Sequence, residues 1–137
     1  MKIRWNRTGV RFRITPSELD ALARDEAVSE VLMLPGGGHW SASLRVDDTA
    51  ATRLTLDAAG ELRLFLAPAD RDRLAAPETE GVYFTIETTN APPLRYYVEK
   101  DFPCAHPRAA EAREPAGETF PAPCAQGTTK KEYGTHE

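Results

Sequence analysis

The chain has 137 residues, of which 41% are hydrophobic and 28% charged, and its formal net charge at pH 7 is −4. This length suits one domain with its own core, and the acidic balance argues against a general nucleic-acid binder, which would show a basic excess. The first residues, Met1 to Trp5, lack the long apolar run of a signal peptide or membrane anchor. We therefore expect a cytoplasmic protein that has no membrane partner.

The N-terminal residues predict a β-hairpin. Residues 2–5 alternate polar and apolar side chains, and residues 6–9, Asn-Arg-Thr-Gly, are typical of a turn. In the next strand Val10, Phe12 and Ile14 alternate with Arg11 and Arg13. This strand should have one apolar face and one cationic face.

A helix start follows the hairpin directly. Thr15 can cap the helix, Pro16 suits its first position, and Glu18 lies three residues after Thr15 to complete a capping box. Two further strands are expected at about 29–34 and 40–46. The Gly36-Gly37-Gly38 stretch between them lacks the Lys-Ser/Thr and the helix of a phosphate-binding loop, so it predicts a hairpin connection.

A second strand–helix joint occurs 52 residues after the first. Pro68 stands where Pro16 stands in the first joint (68 − 16 = 52), and this shift aligns Val10, Phe12 and Ile14 with Leu62, Leu64 and Leu66. The same shift aligns further apolar positions: Leu22 with Leu74, Leu32 with Phe84, Leu44 with Tyr96, and Val46 with Val98. The first strand of each unit needs a one-residue adjustment. We therefore predict an internal duplication in which about 1–48 and 49–102 each form a strand–strand–helix–strand–strand unit.

The predicted fold class is α+β. The duplicated ββαββ units should form a mainly antiparallel, strongly curved sheet or open barrel with two helices, in a single domain at 1–106. Residues 107–137 are rich in Pro, Ala, Glu, Thr and Lys, and such a segment buries too little apolar area to offset its ordering entropy. We expect an irregular or disordered tail, with one anchor near Phe120.

Three motifs resemble those of a known family. They are Lys2-Ile3-Arg4, then Arg11-Phe12-Arg13-Ile14-Thr15 with Glu18, and finally Glu99-Lys100-Asp101-Phe102-Pro103-Cys104. The set is similar to that of a family of small uncharacterised bacterial proteins, which share Lys-Ile-Arg, Arg-x-Arg-x-Thr and Glu-Lys-Asp-Phe-x-Cys motifs. This chain has Thr8-Gly9 where an Asn-Ser pair is common. Since that family is a domain of unknown function, the resemblance implies relatives but no activity and no site residues.

Basic side chains on several predicted strands are the candidate ligand-binding residues. Guanidinium groups bind phosphate and carboxylate through paired hydrogen bonds, and in an open barrel several cations would converge on the lumen. The alternative is an ordinary solvated sheet face. The leading hypothesis is a non-enzymatic binding module for a small anionic ligand or a protein partner, which uses an Arg-bearing sheet face. The candidates are Lys2, Arg4, Arg11, Arg13, Arg63, Arg95 and Lys100.

Two other classes of function stay open. The outline is similar to that of the tunnel-shaped triphosphate hydrolases, which would imply a phosphate-ester or polyphosphate hydrolase with a divalent metal held by Glu18, Glu61 or Glu99. The Glu-x-Glu-x-Lys opening expected of those enzymes is absent. The third class is an interaction or assembly domain without a pocket.

The segment after the last strand carries two more reactive side chains, Cys104 and His106. A zinc site with Asp101 would need a second ligand cluster, and a catalytic Cys–His pair would need an orienting residue. Packing of Cys104 as a small hydrophobe is favoured. The sequence thus assigns no catalytic residue, no metal ligand, no cofactor and no oligomeric state.

Overall fold

The computed structural model describes residues 1–103 and 118–121, and within them the chain forms eight strands and two helices. None of these helices is long and apolar enough to cross a membrane. In chain order the elements are β1 (Lys2–Asn6), β2 (Gly9–Ile14), α1 (Pro16–Ala23), β3 (Val28–Met33), β4 (His39–Val46), β5 (Arg53–Leu56), β6 (Leu62–Leu66), α2 (Pro68–Ala75), β7 (Gly81–Ile86) and β8 (Leu94–Lys100).

Local sequence accounts for the first strand–helix joint. In β2 the apolar residues Val10, Phe12 and Ile14 are buried, and the residues between them are not. Helix α1 begins after Thr15, whose backbone N–H donates to the Glu18 carboxylate at 2.8 Å. The predicted capping box is therefore present.

The predicted hairpin connection between β3 and β4 is also present. Leu34 N–H donates to the Gly38 carbonyl at 2.8 Å. Gly36 and Gly37 have φ angles of 88° and 87°, a region that favours glycine because it has no Cβ.

The eight strands form two four-stranded sheets, ordered β1-β2-β8-β7 and β3-β4-β6-β5. Each sheet joins one hairpin from the first half of the chain to one from the second. The hairpins meet along a central parallel pair, β2–β8 or β4–β6, and the other pairs are antiparallel. The fold is α+β with two mixed, unclosed sheets, where the sequence suggested one curved sheet or an open barrel. Hairpin pairing is local, but each helix carries the chain from one sheet to the other.

One hydrophobic core takes side chains from both sheets and both helices. The helices contribute Leu22 and Leu74, which have no exposed surface. Apolar side chains meet in this core, so the described residues do not form the cation-lined lumen considered from the sequence. The strands contribute Val10, Phe12, Ile14, Val28, Ala42, Leu44, Leu64, Leu66, Val82, Tyr96 and Val98.

Strand pairing shows how the two halves correspond. At the shift of 52, Phe12 of β2 corresponds to Leu64 of β6. Phe12 pairs with Val98 and Leu64 pairs with Leu44, so Leu44 corresponds to Val98 at a shift of 54 (98 − 44).

The antiparallel pairs agree with this shift, because Val28 pairs with Leu44 and Val82 pairs with Val98 (82 − 28 = 54). The constant shift of 52 is therefore wrong beyond the helices, where Leu44 aligned with Tyr96. Five residues lie between α2 and β7 and four between α1 and β3, which accounts for one of the two residues by which the later strands are displaced.

Part of the predicted tail lies against the end of β8. Phe120 N–H donates to the Asp101 carbonyl at 2.8 Å, and the ring centroids of Phe120 and Phe102 are 6.0 Å apart. This contact lies where the sequence suggested an anchor. Cys104, His106, the domain boundary at 106 and most of the tail at 107–137 lie outside the described residues.

Candidate functional site

Five of the seven predicted basic residues lie on one face of the β1-β2-β8-β7 sheet. Cross-strand partners share a face, and β2 buries the alternate residues on its other side. The five side chains therefore lie on the outer side of the sheet, away from the core. We call this surface the cationic face, and its basic residues are Lys2, Arg4, Arg11, Arg13 and Arg95.

The cationic face places like charges directly opposite each other. Lys2 pairs with Arg13 across β1 and β2, and Arg4 pairs with Arg11. Directly opposed side chains have Cβ atoms about 4.5–5.5 Å apart, and like charges at that spacing destabilise a sheet. The fold thus maintains two adjacent repulsive pairs on one surface.

Acidic side chains offset this repulsion only in part. The Glu99 carboxylate lies 3.3 Å from Arg11 Nε and 3.7 Å from Arg13 Nε, so one acid serves two guanidinium groups. Lys2 Nζ lies 2.9 Å from Asp101 Oδ2. Within residues 1–103 and 118–121, the exposed Arg4 and Arg95 form no ion pair.

Two tyrosines lie among these cations. Tyr83 and Tyr97 have ring centroids 5.6 Å apart, and the Arg11 guanidinium carbon lies 5.6 Å from the Tyr97 centroid. A Cβ on Gly9 would lie 3.2 Å from the Tyr97 hydroxyl, so the glycine leaves room for this ring. Burial, followed by the nearby Glu99 charge, raises the pKa of Tyr83.

Two shallow pockets of about 290 Å³ each open on the cationic face. The first lies over β1 and β2 and is lined by Arg4, Trp5, Asn6, Gly9, Arg11 and Tyr97. The second lies at the end of β8 and includes Arg13, Tyr83 and Glu99 in its lining. The first pocket contains the Arg4–Arg11 pair and no acidic side chain, so it is the stronger candidate for an anion site.

The structure places Arg63 and Lys100 away from the cationic face. Arg63 lies on β6 in the other sheet, 2.9 Å from Asp57 and 2.8 Å from Glu61. The hydrogen bond from Arg63, followed by that from Ser43, lowers the pKa of Glu61.

Lys100 is buried on the core side of β8, because Tyr96, Val98 and Lys100 alternate inward. Its Nζ donates to the Ala76 carbonyl at the end of α2 at 2.7 Å, and burial lowers the pKa of the amine. Lys100 therefore provides a hydrogen-bond donor to a free carbonyl at the C-terminal end of α2, where the helix dipole favours a positive charge. Lys100 is also among the residues that line the second pocket, although its amine is engaged by Ala76 on the core side.

The carboxylates considered for a metal lie in separate places. Glu18 accepts from Thr15 N–H and from the Met1 amino group, Glu61 contacts Ser43 and Arg63, and Glu99 lies on the cationic face. No group of three His, Cys, Asp or Glu side chains suited to a metal occurs in the part of the chain that the structure describes. The hydrolase hypothesis gains no support from these residues.

Sequence reasoning did not identify the two tyrosines of the cationic face, and it considered Glu99 only as a metal ligand. The alternation of side chains along β8 could have indicated Tyr97 and Glu99, because they alternate with the buried Tyr96 and Val98 and therefore lie on the opposite face. Their position beside Arg11 follows from the parallel pairing of β2 and β8, which joins residues that are far apart in sequence.

Comparison with protein families gives one result that bears on this site. A family model described as a family of unknown function (DUF7009) matches residues 1–123, a range that includes every residue of the cationic face. Comparisons with curated proteins and with solved structures gave no match.

Proposed function

This chain belongs to DUF7009, a family of unknown function, and we propose that it is a binding module for small ligands bearing phosphate or carboxylate groups. The ligand binds on the cationic face, at the pocket that contains Arg4 and Arg11. The single observation that carries this proposal is that two like-charged residue pairs lie directly opposite each other across β1 and β2.

An anion between Arg4 and Arg11 would turn a repulsive contact into two attractive ones. Arg4 is exposed and has no ion pair in residues 1–103 and 118–121, so its guanidinium is available to a ligand. Arg11 is partly occupied by Glu99, and it also lies against the Tyr97 ring, which holds its guanidinium in place. Guanidinium groups are suited to planar, paired hydrogen bonds with phosphate or carboxylate oxygens.

The internal duplication forms part of this proposal. The same element order in both halves, the equal helix lengths and the shared shift of 54 for the later strands support it. Arg63, the counterpart of Arg11 at a shift of 52, is paired with two acids. Under this proposal only the first copy of the unit kept a strand whose cations outnumber their acidic partners, because Arg11 and Arg13 share Glu99.

Titration calorimetry with pyrophosphate at low salt tests the proposal. Arg4→Gln should lower the affinity about 10- to 150-fold, because hydrogen bonds to charged groups contribute about 1.5–3 kcal/mol. The same substitution should raise the free energy of unfolding of the free protein by about 0.2–1 kcal/mol, because it removes a like-charge pair.

Arg45→Gln is the matched control. Arg45 is also exposed, lies on a central strand of the other sheet and has no ion pair within the described ranges. It should bind pyrophosphate as the unsubstituted protein does. The proposal fails if pyrophosphate does not bind, or if both substitutions weaken binding equally.

A further inference from the structure

Strand β3 exposes an apolar run at the free edge of its sheet. The exposed fractions are 58% for Val31, 56% for Leu32, 69% for Met33 and 45% for Leu34. β3 pairs only with β4, so its other edge has no strand beside it in the described chain. Free edges of natural sheets are usually protected by charged residues or proline, because an apolar edge attracts another strand.

The backbone hydrogen bonds show which residues face this edge. Leu34 N–H donates to the Gly38 carbonyl, and the Leu34 carbonyl accepts from Gly37 N–H. In an antiparallel pair the hydrogen-bonded residues alternate along the strand. Val31 and Met33 therefore direct their N–H and C=O groups away from β4 and toward the open edge.

The other sheet shows that the fold does not require an apolar edge. At the shift of 54, Val31 corresponds to Thr85 and Met33 to Glu87, and both of these residues are exposed and polar. β1, the other edge strand of that sheet, carries exposed Lys2 and Arg4. The corresponding edge strands β3 and β7 thus differ, because β3 exposes apolar residues where β7 exposes polar ones.

We infer that β3 pairs antiparallel with β3 of a second copy of this chain. A twofold axis at Leu32 places Val31 opposite Met33 of the second copy, so apolar side chains face each other on both sides of the axis. The β3-β4-β6-β5 sheets of the two copies then form one continuous sheet of eight strands.

Charges are compatible with this register. Glu30 lies opposite Leu34 of the second copy, so the two Glu30 carboxylates do not oppose each other. Each Glu30 also accepts a hydrogen bond from the Met1 amino group of its own chain at 2.6 Å, and Glu18 shares that positive charge. An aligned pairing thus brings no like charges together at the interface.

A neighbouring groove provides a place for Leu34 of the second copy. It has a volume of about 280 Å³ and lies between the edges of β1 and β3. The rings of Trp5 and Trp40 form part of its wall, with centroids 5.5 Å apart, and Trp5 is 69% exposed. Glu30 also lines this groove, so Leu34 of the second copy, which lies opposite Glu30, can enter the groove.

Mass measurement by light scattering across a concentration series tests this inference. The unsubstituted protein should have twice the mass of one chain at high concentration. Val31→Lys should have the mass of one chain, because it places a charge opposite Met33 of the second copy. Leu56→Lys is the matched control, since Leu56 is 68% exposed on β5, the other edge of the same sheet. It should remain a dimer. A monomer at all concentrations, a dimer that survives Val31→Lys, or equal loss in Leu56→Lys would overturn the inference.

Disulfide cross-linking tests the register. Leu32 would face its own copy as a non-hydrogen-bonded pair with Cα atoms about 4.5 Å apart, within the range of about 4.4–6.8 Å that a disulfide spans. In a background with Cys104→Ser and Cys124→Ser, oxidised Leu32→Cys should migrate as a linked dimer and Leu56→Cys as a monomer. Absence of the link in Leu32→Cys, or equal linking in both, would rule out this register.

Discussion

Helix α2 starts without a side-chain cap, and Thr52 replaces the missing contact. In α1 the Glu18 carboxylate accepts directly from Thr15 N–H. In α2 the corresponding acid is Asp70, which is one methylene shorter. Ala67 N–H donates instead to Thr52 Oγ1 at 2.8 Å, and that hydroxyl donates to Asp70 Oδ2 at 2.5 Å. The threonine hydroxyl therefore fills the length that aspartate lacks.

Thr52→Val should destabilise the protein by about 1–2 kcal/mol. The substitution keeps the shape of the side chain but removes the hydroxyl, which leaves the Ala67 N–H without its acceptor. An unsatisfied donor costs about 1–3 kcal/mol when buried, and Ala67 is only partly buried, so the lower part of this range applies. Urea unfolding measures this change in the free energy of unfolding, since a chain of this size is expected to unfold in two states.

Two further variants make the result specific. Thr55→Val changes an exposed threonine of β5, the strand that begins directly after Thr52, and should shift the free energy of unfolding by no more than about 0.5 kcal/mol. Asp70→Glu should restore most of the loss in the Thr52→Val background, because a glutamate reaches Ala67 N–H directly, as Glu18 does for Thr15. If Thr52→Val costs no more than Thr55→Val, or if Asp70→Glu restores nothing, the hydroxyl does not act as this bridge.

Two more predictions concern the β1-β2-β8-β7 sheet. Gly9→Ala should lower the free energy of unfolding by about 1–3 kcal/mol in urea unfolding, because its Cβ would lie 2.7 Å from the Arg95 carbonyl oxygen. Gly38→Ala is the control and should not destabilise the protein, because a Cβ on Gly38 would meet nothing within 4 Å. Equal effects of the two would refute this. Burial lowers the pKa of Lys100 in the folded protein below the value of about 10.4 that is usual for an exposed lysine. At a pH between the folded and the unfolded pKa, the unfolded chain binds more protons than the folded protein, so stability rises with pH. From pH 7 to 10 the unsubstituted protein should therefore gain stability relative to Lys100→Met, and a constant difference would contradict the burial effect.

The sequence determined the local features of this protein. The alternation in β2 fixed Val10, Phe12 and Ile14 as core residues and turned Arg11 and Arg13 to the opposite face. Thr15 and Glu18 determined the start of α1, because a capping box involves only neighbouring residues. Patterns of this kind depend on contacts within one strand or one helical turn, so they can be read without knowing the fold.

Only the tertiary structure decided which strands share a sheet. The pairing of β2 with β8 brought Glu99 and Tyr97 to Arg11, and the pairing of β4 with β6 placed Arg63 on the other sheet. Lys100 also required the fold, because its inward position beside the end of α2 depends on how β8 packs. These contacts join residues that are distant along the chain, and the choice among strand partners depends on how both hairpins cover one core. The opposition of Arg4 and Arg11 follows from the local β1–β2 hairpin, and the tertiary structure determined that one acid on β8 serves Arg11 and Arg13 while Arg4 stays exposed.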